Sequence, residues 1–252
     1  MTCTVKNRVA TVAIRLLSVL ISAFLTNSAS ANERFEFLFP FRIPEKTHSG
    51  VCEDFLADPL YLSLWFPSFT EQDMMAHTLA VLRQFPFSEQ RAGISYVAVQ
   101  PVSWNEPTIL ERKFSPGVAP EEAINIASDL LHDDYAYTFD LDWDLWTPDS
   151  TGRHWALAPS HVRIIAQGPE FDERSAETTG QIEIDFGLDT AFLQEQVQLD
   201  AQAEERVRAN VHKLVDFTNK VEKNAHANGR LLWSDSEENL AQKLIARLQK
   251  VQ

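Results

Sequence analysis

YAYTFDLDWDLW, residues 135–146, alternates apolar and polar side chains more regularly than any other part of the chain. The apolar positions from 137 to 145 are Tyr137, Phe139, Leu141, Trp143 and Leu145. The polar positions between them are Thr138, Asp140, Asp142 and Asp144. Since successive side chains of a strand point to opposite faces of a sheet, this pattern predicts a strand that buries its aromatic and aliphatic face.

Patterns on either side of this strand predict further elements. Strands are predicted where β-branched and aromatic residues concentrate, over 94–99, 108–114, 155–166 and 181–186. Apolar residues at helical spacing predict helices over 71–85 and 120–131. Turn residues at 115–117 precede the second helix, and those at 148–152 predict a hairpin turn between two strands.

The order of these elements predicts an α+β fold. The Phe- and Pro-rich segment 32–68 is expected to begin with an extended strand, so that residues 35–146 read strand, helix, strand, strand, helix, strand. This order matches a split βαβ, or ferredoxin-like, antiparallel sheet with helices on one face. The later strands would extend it by a hairpin, and the predicted sheet domain spans 32–188.

Residues 189–252 predict a helical tail. The apolar positions of its two helices, spaced by three and four, are Val207, Val211, Leu214, Val221, Leu240, Leu244 and Leu248. Asn228-Gly229 indicates the end of the first helix, and Ser234 with Glu237 forms a capping box for the second. We expect the pair to pack on the sheet. The alternative is that an unburied apolar stripe forms a homodimer.

Residues 1–31 have the pattern of a secretory signal peptide. They contain three basic residues and no acidic one, an apolar run over 16–25, and the small residues Ala29-Ser30-Ala31 at the end. We therefore expect cleavage after Ala31 and a secreted or periplasmic protein. An uncleaved anchor and an organellar transit peptide are the alternatives. No later segment approaches the roughly 20 apolar residues of a membrane-spanning helix.

Composition limits the class of partner. The chain carries 22 basic and 36 acidic residues, a formal net charge of -14. Removal of residues 1–31 takes away three basic residues and no acidic one, which leaves 19 against 36, a net of -17. So acidic a surface repels nucleic acid.

Widely spaced glycines exclude the common phosphate-binding loops, so no nucleotide cofactor is expected. Cys52, left alone after cleavage, is expected to be a buried spectator.

Trp104-Asn105-Glu106-Pro107 follows an apolar strand. It resembles the strand-end Asn-Glu-Pro of the (β/α)8 retaining glycosidases, a family in which this Glu is the general acid/base and the Asn binds the 2-hydroxyl of the sugar. The resemblance implies these roles for Glu106 and Asn105, with Glu183 as the second carboxylate. The residues alone favour another interpretation, a turn between two antiparallel strands with Glu106 exposed.

Two further groups are candidates for binding. Asp140, Asp142 and Asp144 lie about 7 Å apart along one strand face, where two of them could bridge a calcium ion. In the alternative interpretation they are a solvated face balanced by a neighbouring Arg or Lys. Trp146 shares the parity of these carboxylates, and with Trp104 it could form an exposed platform for a ligand.

These observations predict an exported, acidic α+β protein that acts by binding a small ligand or an envelope protein, without catalysis. The alternative is a small glycoside-active enzyme that uses Glu106 as acid/base. We assign no catalytic constellation from the motifs present.

The signal peptide makes a direct prediction. The intact mass of the exported protein should correspond to a chain that begins at Asn32. Ala31→Phe should accumulate the precursor, because the peptidase pocket takes only a small residue there, whereas Ser30→Phe should be processed normally. An exported protein that retains residues 1–31 would contradict the prediction.

Overall fold

The computed structural model describes residues 58–149, 154–194, 199–234 and 240–249. The predicted signal peptide, residues 32–57 of the segment expected to begin with an extended strand, and Cys52 lie outside these ranges.

The described residues form one mixed structure of strands and helices. Its strands are β1 (Pro59–Trp65), β2 (Ile94–Pro101), β3 (Leu110–Val118), β4 (Tyr135–Pro148), β5 (Trp155–Gln167), β6 (Ile182–Leu188) and β7 (Gly229–Ser234). Its helices are α1 (Glu71–Leu82), α2 (Pro120–Ser128), α3 (Ala176–Thr179), α4 (Ala201–Ala225) and α5 (Leu240–Gln249). The strands form a single sheet in the order β3-β2-β4-β5-β6-β1-β7.

The α+β class and the antiparallel sheet are confirmed, but the strands do not follow a ferredoxin-like order. Every neighbouring pair is antiparallel, β2 lies between β3 and β4, and β1 lies between β6 and β7 rather than beside β3 and β4. Leu62 and Leu64 of β1 pair with Ile184 and Ile182 of β6. The order of elements along a chain does not specify which strands pair, and here the matching apolar faces of β1 and β6 make that choice.

The core lies on the face of the sheet that carries the odd-numbered residues of β4. Phe139 pairs with Val97 on one side and with Ile164 on the other, and Ile164 continues the row to Ile184. Trp143 is fully buried there among four phenylalanines with ring centroids 5.2 to 6.5 Å away, namely Phe85, Phe186, Phe192 and Phe217. The predicted buried face of β4 therefore forms the centre of the core.

The predicted C-terminal helices pack on the sheet. Phe217 and Val221 of α4 and Leu240 and Leu244 of α5 belong to the same buried cluster as the strands. The tail also contains a strand that the sequence analysis missed. Asn228-Gly229 does end a helix, but residues 229–234 then add β7 to the edge of the sheet beside β1. A short strand of this kind shows no full period of alternation.

The turn predicted at Ser115-Pro116-Gly117 is instead a bulge within β3. Ile94 pairs with Val118 and Tyr96 pairs with Lys113, so the residues between them on β3 are extra to the ladder. Strand β3 lies at the edge of the sheet, where proline and glycine are tolerated at bulges.

None of the helices in the described ranges is both long enough and apolar enough to cross a membrane.

Strands β4 and β5 extend beyond their neighbours as a two-stranded arm. The pairing of β4 with β2 ends at Leu141, so residues 142–148 have an edge without a strand partner. Asn210 of α4 covers this edge. Its amide accepts a hydrogen bond from Trp146 N–H at 2.9 Å and donates to the Trp146 and Ala191 carbonyls at 2.8 and 2.9 Å. A buried side chain thus satisfies backbone groups that would otherwise be unpaired.

Asn210→Ala should lower the free energy of unfolding by about 2–4 kcal/mol, because it leaves buried backbone groups of Trp146 without partners. Asn224→Ala is the matched control on the same helix, since its hydrogen bond to Gln84 is exposed. Its cost should stay below about 0.5 kcal/mol. Urea unfolding of both variants provides the comparison, and equal effects would contradict the assigned role of Asn210.

Candidate functional site

The carboxylates of β4 are buried, each with its own partner. Arg163 of β5 lies directly opposite Asp140 and donates from Nε and Nη2 to the two carboxylate oxygens, at 2.7 and 3.0 Å. Asp142 lies 3.9 Å from Nη1 of Arg91. Bidentate pairing with arginine is among the strongest hydrogen-bonding geometries of a carboxylate. Both oxygens of Asp140 therefore already have a partner within the fold.

Asp144 is held from the segment that follows α1. The Ser88 hydroxyl donates to Oδ1 at 2.6 Å, and the Glu89 N–H donates to Oδ2 at 2.9 Å. Burial acts to raise the pKa of Asp144, but these hydrogen bonds and the nearby Lys213 ammonium outweigh it and hold the pKa below its usual range. Lys213 donates to the Asp144 carbonyl at 2.6 Å, and burial lowers the pKa of this lysine.

The structure does not bring Asp140, Asp142 and Asp144 together as a metal site. In the described part of the chain, one group places three potential ligand atoms within 4.8 Å of one another, and it consists of His132, Asp133 and Asp134. His132 Nδ1 lies 3.0 Å from Asp133 Oδ1 and 2.5 Å from Asp134 Oδ1. The three side chains of this group therefore already contact one another.

Trp146 is half-buried rather than an open platform. The Arg206 guanidinium of α4 lies 5.1 Å from the centroid of its ring. This cation–π contact uses a face of the indole that a ligand would need.

Glu106 and Glu183 are also kept apart. Glu106 lies in the loop between the antiparallel strands β2 and β3, and Glu183 lies on β6, three strand spacings away. Three spacings amount to roughly 14 Å, whereas the paired carboxylates of glycosidases lie about 5 to 9.5 Å apart. The Asn-Glu-Pro segment therefore occurs in a hairpin loop, without the helix that would follow a barrel strand.

Three loops meet at the end of the sheet that contains Glu106. We refer to residues 102–109, 129–134 and 168–175 as the loop cluster. The Val102 N–H donates to the Asp134 carbonyl and the Asp172 N–H donates to the Val102 carbonyl, both at 2.8 Å. These two bonds link all three loops through one residue.

Trp104 is the large aromatic residue at the surface of the loop cluster. Its ring packs edge-to-face on the fully buried Phe171, with centroids 5.0 Å apart. Even so, 47% of Trp104 is exposed, together with 53% of Val102 and 47% of Ile109. The indole is thus fixed on one side and open to solvent on the other.

The backbone of the loop cluster is strained. Val102 has a φ of 59°, a conformation that costs a β-branched residue of the order of 1–3 kcal/mol. Asp172, Glu173 and Arg174 follow one another with φ of 46°, 56° and 66°. Such conformations persist only where the surroundings enforce them, and they concentrate at functional sites.

Side chains from the sheet also fix loop 102–109. The Gln100 amide donates to the carbonyls of Ser103 and Glu106 and accepts from the Thr108 hydroxyl at 2.8 Å. The Glu106 N–H donates back to the Ser103 carbonyl at 3.2 Å. The loop is therefore held in one conformation before any ligand arrives.

The loop cluster is strongly acidic. It contains one arginine, Arg174, and seven carboxylates, which belong to Glu106, Asp129, Asp133, Asp134, Glu170, Asp172 and Glu173.

Sequence reasoning found only part of this site. It singled out Trp104, Asn105 and Glu106, which the structure places on one exposed loop. It missed Val102, Ile109 and the segment 171–174, because neither long-range packing on Phe171 nor a left-handed backbone at non-glycine residues leaves a local signal. Gly168-Pro169 was the available hint of a turn.

No family model matches this chain, and no curated protein or solved structure is significantly similar to it.

The low pKa of Asp144 predicts how stability depends on pH. Because its pKa in the folded state lies below the value of about 3.9 in an unfolded chain, the ionised carboxylate stabilises the fold above that pH. This contribution is lost as the pH falls through the folded-state pKa. Asp144→Asn should therefore cost about 1–3 kcal/mol near pH 7, and the difference from wild type should shrink below about pH 4.

Urea unfolding between pH 3 and 7 tests this expectation. Ser95→Ala is the control, since the Ser95 hydroxyl donates to the neutral Asp140 carbonyl at 3.1 Å and its loss should cost the same at every pH. A cost of Asp144→Asn that did not change with pH would show that the ionised carboxylate is not the stabilising species.

Proposed function

We propose that this protein is an exported, non-catalytic binding protein that engages a polypeptide partner through the loop cluster. One observation supports this most directly. Five large apolar side chains in the described residues are about half exposed, and three of them, Val102, Trp104 and Ile109, lie in a single loop. Exposed apolar residues that occur singly need no explanation, whereas a group of them is typical of an interaction site.

The physical properties of the loop cluster fit this role. Binding is strongest where a rigid aromatic side chain fills a pocket on the partner, and tryptophan is the residue most enriched at such positions. Packing on Phe171 fixes one edge of Trp104 before binding, so little conformational entropy is lost when the free side is covered. In this proposal, the strained backbone at Val102 and 172–174 directs the apolar residues toward solvent, where a partner can contact them.

Export forms part of the same proposal. It is supported by the sequence of residues 1–31, whose charge, apolar run and terminal small residues are those of a signal peptide. A partner in the cell envelope or in the extracellular medium would follow.

Glycoside hydrolysis has less support. Glu106 and Glu183 lie too far apart to act on one glycosidic bond, and no other observation favours that chemistry.

Photo-crosslinking tests the binding proposal. A benzophenone amino acid in place of Asn105, beside Trp104, should capture a specific protein in the cell envelope, and the same group at the distant, exposed Glu205 should not. Adding Trp104→Ser should reduce capture at position 105 at least 10-fold, because it removes the aromatic side chain that the partner would bury.

Leu157→Ser is the matched control, since Leu157 is 46% exposed and Trp104 is 47% exposed, but Leu157 lies on β5 outside the loop cluster. It should leave capture unchanged. Far-UV circular dichroism confirms that both variants fold. Capture at 105 that survives Trp104→Ser, or that Leu157→Ser reduces equally, would refute the proposal.

A further inference from the structure

We infer that the partner presents a positively charged polypeptide surface, in which apolar side chains are flanked by Lys or Arg. This inference rests on the proposed function and adds the chemistry of the partner to it.

The loop cluster has a large net negative charge. Seven carboxylates against one arginine give these three loops a formal charge of -6, out of -14 for the whole chain. The half-exposed Val102, Trp104 and Ile109 lie in the same loop cluster. An apolar centre with a charged rim is the usual anatomy of a protein interface, and the charge of the loop cluster is predominantly negative.

The basic side chains of the loop cluster are His132 and Arg174, and each contacts two carboxylates. Arg174 Nη2 lies 3.0 Å from Glu177 Oε1, and its Nε lies 3.8 Å from Glu170 Oε1. Its charge is therefore shared between two carboxylates. Glu106, Glu173 and Asp129 are all exposed, so a partner can reach them.

The exposed Leu157 provides an internal comparison. It lies within residues 155–161, which contain no Asp, Glu, Lys or Arg. The segment around Leu157 thus exposes an apolar side chain without charged residues beside it in the sequence, whereas the loop cluster combines exposed apolar residues with seven carboxylates. This combination gives the loop cluster a preference for a cationic partner.

The same charges disfavour other classes of partner. A tryptophan at the surface can insert into a membrane interface, but the carboxylates of the loop cluster are repelled by the negative potential of anionic lipids. Nucleic acid is repelled for the same reason.

Two dye-labelled synthetic peptides test the inference with the full-length protein. Both contain Leu-Trp-Leu, one flanked by three lysines on each side and the other by three glutamates. Fluorescence anisotropy should show at least 10-fold tighter binding of the lysine peptide, and its Kd should rise at least 10-fold between 50 and 500 mM NaCl, because salt screens the rim.

Charge variants locate the binding site. Glu106→Gln, Glu170→Gln and Glu173→Gln together should weaken binding of the lysine peptide at least 5-fold. The control makes the same change in net charge at exposed acids on the helices, namely Glu122→Gln, Glu205→Gln and Asp216→Asn, and should change binding less than 2-fold.

The outcomes separate this inference from the proposed function. If both peptides bind equally and Trp104→Ser abolishes binding of each, Trp104 keeps its role as the apolar anchor. The inference that the partner is positively charged is then refuted. If the charge variants weaken binding but Trp104→Ser does not, the anchor role of Trp104 fails. Equal effects of the two charge sets would show that only overall charge matters, which overturns the inference. Binding to phosphatidylglycerol vesicles in preference to the lysine peptide would also overturn it.

Discussion

Strand β4 is buried on both faces, and the rest of the structure depends on how its polar face is satisfied. One face supplies Trp143 and its apolar neighbours to the core, which any amphipathic strand would do. The other face carries three aspartates that are equally removed from water. A buried carboxylate without a partner costs several kcal/mol, so the neighbouring elements must deliver cations and hydrogen-bond donors to it.

That requirement accounts for the position of several elements. Strand β5 brings Arg163 opposite Asp140, and the segment after α1 brings Ser88 to Asp144. Helix α4 supplies Lys213 and Asn210 to the backbone of β4 where β2 no longer pairs with it. The aspartates that suggested a metal site in the sequence are therefore part of the framework. Asp140 is paired with Arg163 across the β4–β5 hairpin, and Asp142 and Asp144 contact the segment after α1.

The opposite end of the sheet is organised by different forces. The loop cluster is held by backbone hydrogen bonds through Val102 and by the packing of Trp104 on Phe171, at the cost of left-handed conformations at non-glycine residues. Seven carboxylates but only one arginine lie there, whereas each aspartate of β4 has a hydrogen-bond or ion-pair partner. Strained backbone and exposed apolar groups are costly for a fold. In our proposal, they occur together here because the loop cluster binds a partner.

The sequence by itself determined the local structure. Alternation in residues 135–146 and helical spacing in α1, α2 and α4 predicted these elements within a few residues, because both periodicities are local properties of the chain. It also placed Trp104, Asn105 and Glu106 on a loop. Only the tertiary structure decided which strands pair, that β7 joins the edge beside β1, and that Phe171 lies under Trp104. Those outcomes depend on contacts between residues far apart in the chain, since matching apolar faces and buried polar groups can be paired in several ways. A local sequence pattern does not indicate which pairing forms.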